Sequence, residues 1–143
     1  MMSITGEAPD HDISSPLRTD ADVLRRVDFC VGDRSRRSLW LLFIGPDGVQ
    51  LPVLVPVSDI PESPEPGEIR GLCHMIAHIV ADSVADGTAV ITLVRPGTGT
   101  LTDPDRHWCR SLHTAAAEEG AAIRMVCLAT TDGVRQLTLD DTP

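Results

Sequence analysis

The chain has 143 residues, of which 42% are hydrophobic, 23% charged and only 3% aromatic, and its formal net charge is −9. That length and balance suit one folded domain with an aliphatic core. They exclude base-stacking platforms for single-stranded nucleic acid, and the acidic balance argues against general nucleic-acid binding.

In chain order, residues 1–19 read as a disordered tail, polar and acidic, without the basic start and apolar run of a secretory signal. Residues 20–37 read as a short helix over 20–27, capped by Thr19, followed by a charged connector. From 38 to 143 the pattern is that of a single α/β domain. Residues 38–44 form a continuous apolar run, Gly45-Pro46-Asp47-Gly48 is a turn, and residues 49–57 resume as a strand, giving a hairpin. Pro52 and Pro56 lack ladder donors, which places the second strand at an edge or makes it irregular. A helix is expected from Glu68 to about Asp86, with Ile69, Leu72, Ile76, Ile79, Val80 and Ser83 on one face and Gly87 as its cap. Residues 88–94 are β-branched and strand-like. A Gly-rich loop over 95–101 leads into a second helix capped by Thr102, with Asp105 in the capping-box position and Gly120 at the end. Its inner face is Trp108, Leu112 and Ala115. Strands over 123–129 and 134–139 close the chain around a Thr130-Thr131-Asp132-Gly133 turn. The order β-β-α-β-α-β-β predicts a mixed sheet of about five strands flanked by two main helices.

All twelve cations are arginine, which rules out lysine Schiff bases and lysine-based phosphate loops. Cys30, Cys73, Cys109 and Cys127 are scattered, so no zinc ribbon or disulfide framework is expected; they read as free thiols of a reducing, cytoplasmic setting. Apolar runs over 39–44 and 51–57 are too short to cross a membrane.

Three constellations could carry function. The first is the strand-to-helix loop, where Arg95, Gly97, Thr98, Gly99, Thr100 and Thr102 could hold a phosphate or carboxylate against a helix N-terminus, opposed by Asp103 and Asp105. This gives one functional reading, a small-anion or phosphometabolite-binding enzyme or sensor. The second is His74-x-x-x-His78, a spacing that bridges metals but lacks the glutamate of a zinc-protease motif. The third is the basic face of the second helix, where Arg106, Arg110 and His113 could dock a protein partner or a second copy. His74 and His78 are candidates for the same kind of contact.

The element order and the residues around the loop resemble the RadC-like branch of the JAB (JAMM) domain family, with a cytidine-deaminase-like layout. That family carries His-x-His-Pro at a strand end, a Gly/Pro-rich loop, then Ser-x-x-Asp opening a helix. Here Pro96, Gly97 and Gly99 match the loop, and Thr102 and Asp105 fall on the serine and the aspartate ligand. The two histidine positions fall on Leu93 and Arg95, and the loop is one residue shorter than usual. The resemblance, spanning roughly residues 38–139, therefore implies a metal-free member with no cofactor and no catalytic residues. Such a domain would act as a non-catalytic binding or scaffolding module through a protein partner or self-association.

Overall fold

The structure is a computed structural model that describes residues 15–83 and 86–139. Three helices and five strands follow the order α1 (Asp20–Cys30), β1 (Ser38–Ile44), β2 (Gln50–Ser58), α2 (Pro66–Ser83), β3 (Thr88–Val94), α3 (Asp103–Glu119), β4 (Ile123–Thr130) and β5 (Gly133–Leu137). The strands form one mixed sheet in the order β2-β1-β3-β4-β5. Only β3 and β4 pair in parallel; the other neighbours are antiparallel.

Topology decides where the helices lie. The connections β2-α2-β3 and β3-α3-β4 both step across the sheet in the same direction. Right-handed crossovers taken in one direction put their helices on one face. Accordingly α2 and α3 share a core with Leu39, Leu41, Ala89, Ile91, Leu93, Val126 and Leu128. The alternate strand residues Leu42, Ile44, Val90, Val94, Met125, Cys127 and Ala129 face the other way, as a period of two requires, and α1 covers them with Val23 and Val27. The result is three layers, α/β/α.

Helix α1 starts at a full capping box between Thr19 and Asp22 and runs to Cys30, three residues beyond the expected stop at Val27. Arg34 closes it by donating to the Asp28 and Val31 carbonyl oxygens at 3.1 and 3.2 Å. The helix lies on this sheet face and also approaches the edge strand β5, where Val134 packs against its cluster. Arg124 in β4 pairs with Asp20 at 2.8 Å, and the buried Arg26 donates to Gln50 Oε1 in β2 at 2.7 Å. Of the tail read over 1–19, residues 1–14 lie outside the described residues. Leu17 is buried and its N–H donates to the Gly48 carbonyl at 2.8 Å, so an apolar side chain draws this part of the chain onto the first hairpin.

Strand β2 is an edge strand, and its register with β1 breaks between Leu42 and Ile44, opposite the stretch that contains Pro52. A proline has no N–H to contribute there. In α2 the fully buried stripe is Ile69, Cys73 and Ile76, with Leu72, Ile79 and Val80 partly covered. The side chain of Ser83 lies outside the described residues. The left-handed residue after α2 is Asp86 (φ 64°), not Gly87. Glu65 supplies the N-terminal cap, its carboxylate accepting from the Gly67 and Glu68 N–H groups at 3.2 and 2.7 Å. Helix α3 begins at the Thr102–Asp105 capping box and ends at Gly120 (φ 70°). The last strand stops at Leu137, and Leu139 beyond it is exposed. No helix among the described residues is long and apolar enough to cross a membrane.

Candidate functional site

The loop over 95–102 leaves the carboxyl end of β3 beside the start of α3. Arg95, expected to point at an external anion, is turned inward and is 5% exposed. Its Nε donates to Asp105 Oδ1 at 2.8 Å and one terminal nitrogen to Asp105 Oδ2 at 2.7 Å, a bidentate fork. The same nitrogen reaches the Thr100 carbonyl at 3.0 Å, and the other terminal nitrogen the Pro96 carbonyl at 3.0 Å. Every nitrogen of the guanidinium therefore has an acceptor within the chain. The anion-clamping reading loses its cation for that reason.

Asp105 is fully buried. Burial pushes its carboxyl up, but hydrogen bonds from Arg95 and from Thr102 outweigh burial and hold it below the usual carboxylate range. The hydrogen bond to Asp105 in turn raises the Arg95 guanidinium. Besides the fork, Asp105 Oδ2 accepts from the Thr102 N–H at 3.0 Å, and the Thr102 hydroxyl accepts from the Asp105 N–H at 3.3 Å. One carboxylate thus both caps α3 and neutralises a buried guanidinium.

The rest of the loop is tied to the β4–β5 turn. The Gly99 N–H, which an anion would have used, donates to Asp132 Oδ2 at 2.6 Å. The Thr131 hydroxyl donates to the Gly97 carbonyl at 2.7 Å. The Thr98 hydroxyl accepts from the Thr100 N–H at 3.4 Å, within the loop. Gly97 (φ 98°) is required twice over, because a Cβ would also sit 3.3 Å from an Arg95 terminal nitrogen. Arg34 reaches in from the α1 side to the Thr130 carbonyl at 3.0 Å. Thr131 and Asp132 carry no sequence signal as partners of this loop, since the two segments meet only in the folded sheet.

A metal fits this place poorly. Leu93, at the first histidine position of the resemblance, is fully buried in the core under α2 and α3. Arg95, at the second, presents a cation to the single carboxylate that remains. A zinc site needs about three protein ligands and an open position for water, and among the described residues no group of three His, Cys, Asp or Glu could hold a metal ion. His74 and His78 stand edge to face with ring centroids 4.5 Å apart, and His74 Nδ1 lies 3.1 Å from Glu119 Oε1. Both are exposed, and His74 links α2 to α3 through Glu119.

The basic face of α3 divides. Arg106 lies 3.3 Å from Asp103, while Arg110 stands beside His107 on the flank toward α2. His113 belongs to the opposite flank, half-buried against Met125, Val126 and Leu137. Its Nε2 is enclosed without a hydrogen-bond partner, and burial lowers the imidazole from its ordinary range. The three residues share a helical face in projection, but the face is wide and its two margins meet different neighbours. A residue not singled out in the sequence, Arg70 of α2, joins Arg110 and His107 instead.

A second opening of about 460 Å³ lies at the same end of the sheet as the loop, because Ser38 at the start of β1 pairs with Val94 at the end of β3. Trp40 and Pro56 line it with Arg36 and Arg37, and Asp33 and Asp59 balance their charge. Hydrogen bonds from Ser35 hold the Asp33 carboxyl below its usual value.

No protein-family model matches the chain, and no curated protein matches it.

Proposed function

We propose that the chain is a non-catalytic RadC/JAB-like domain, a pseudoenzyme that acts by binding a protein partner or itself. The observation that carries this reading is the Arg95–Asp105 fork. A guanidinium, permanently charged and fixed by four hydrogen bonds, sits against the one carboxylate that the resemblance assigns to a metal, and that carboxylate accepts a fifth bond from the Thr102 N–H. It neutralises that carboxylate without offering a Lewis acid or an open coordination position. The fifth bond belongs to the capping box of α3, so the arrangement stabilises the loop and helix start as one unit.

The mixed sheet and the strand–loop–helix junction with Pro96, Gly97, Gly99, Thr102 and Asp105 in order support the fold side of the proposal. Three buried cysteines and a half-buried fourth, all free, favour a reducing, cytoplasmic setting. The test is zinc content by elemental analysis after purification in zinc-supplemented buffer, with peptide and isopeptide hydrolysis assayed in parallel. The wild type is expected to carry far less than one zinc per chain and to hydrolyse neither substrate. A wild-type chain with one tight zinc and a chelator-sensitive hydrolysis would overturn the proposal.

A further inference from the structure

Helices α2 and α3 run side by side over one face of the sheet and leave a groove of about 200 Å³ between them. Its floor includes Ile69 and Ala115, both buried in the core, and its rim carries Arg70 from α2 with His107 and Arg110 from α3. Among the described residues Glu118 is the one acidic residue lining it.

The rim holds two arginines and a histidine against one glutamate. Arg25, Arg34, Arg37, Arg95, Arg106 and Arg124 each have a carboxylate within ion-pair distance. Among the described residues neither Arg70 nor Arg110 forms an ion pair, which is true also of Arg18 and Arg36, although the chain holds 21 acidic residues against 12 basic ones. Arg70 and Arg110 come from different helices, and the topology brings them to one rim.

Size selects the occupant. Small-molecule and cofactor sites occupy roughly 300–1,000 Å³, so this groove suits one or two side chains better than a nucleotide. An arginine fork matches a carboxylate bidentately, and the Ile69–Ala115 floor suits a short aliphatic group beside it. We propose that the α2–α3 groove docks an acidic peptide segment of a protein partner, its carboxylates on Arg70 and Arg110 and an aliphatic neighbour on the floor. This rests on reading the domain as a binding module, and it names the partner's chemistry.

The experiment is fluorescence anisotropy with labelled dodecapeptides carrying paired Glu residues among Ala and Leu, and Gln-for-Glu counterparts as controls. Saturable binding of the Glu peptides alone is expected. Arg70→Ala and Arg110→Ala should each weaken it about threefold and together about tenfold, as partly solvated ion pairs do. Arg36→Ala, in the other opening, should leave it unchanged. Arg70→Glu with Arg110→Glu should transfer binding to Lys-containing peptides, which separates a lost contact from a lost fold. Absence of saturable binding, equal binding of Gln peptides, or indifference to the double substitution would overturn the proposal. So would displacement by inorganic phosphate at the peptide's own concentration, which would mark a small-anion site. None of these results alters the zinc and hydrolysis measurements, so the two proposals fail separately.

Discussion

Arg95 and Asp105 lie ten residues apart in sequence, and their side chains are 6% and 0% exposed. Removing one partner of such a pair leaves an uncompensated buried charge, which costs about 3–5 kcal/mol. Asp105→Ala, which also removes the side-chain half of the α3 capping box, should lose at least that much in urea denaturation, and Arg95→Ala a similar amount. Because the folded-state carboxyl titrates below its unfolded value, the pair contributes fully above about pH 4 and loses that contribution as pH falls through the depressed folded value. Unfolding followed from pH 7 to pH 2 should show this acid limb, and Asp105→Asn should flatten it. His113 acts in another window. Its folded imidazole titrates below the unfolded value near 6.5, so the unfolded chain binds more protons and stability falls as pH drops below about 6.5. His113→Gln should remove that slope. Thr102 and Asp105 were legible as a capping box because the pattern is local. The partner of Arg95 was not, since a strand-end arginine reads equally well as facing solvent or turned onto its own helix cap.

At the scale of elements, the strands and helices were legible because each carries its own period. Apolar runs gave β1 and β3, and Gly120 marked the end of α3. The helices' neighbours were less so. Helix α1 carries no sequence signal for its neighbours, yet Val23 and Val27 are needed to bury the alternate residues of β3 and β4. The face of α3 with Arg106, Arg110 and His113 reads as one patch until α2 and the β4–β5 pair take its two margins. The cysteines follow from this layering. Burial pushes the Cys73 thiol to about 11 and the Cys127 thiol to about 12, and Cys30 is raised as well but is the one left partly exposed. A disulfide reagent at pH 8 should therefore titrate one thiol slowly, Cys30, and the other three only after unfolding. Prompt reaction of three or four thiols in the native chain would contradict the three-layer arrangement.

At the scale of the molecule, two sheet edges remain, the nine-residue β2 and the five-residue β5. Pro52 and Pro56 interrupt the longer one, a common way to prevent edge-to-edge pairing. Pro52→Thr with Pro56→Thr should give concentration-dependent association in sedimentation velocity while the wild type shows none through this edge. The described residues then present a closed strand-end loop and a cation-rimmed helix groove, the two features on which the proposed function rests. The proposed function depends most on the loop being closed. The ¹H–¹⁵N resonance of the Arg95 Nε–H, followed through a titration with zinc chloride and then with inorganic phosphate, measures this directly. It should stay slowly exchanging and unshifted throughout, held by Asp105. A saturable shift or loss of its exchange protection at stoichiometric zinc or phosphate would contradict the account.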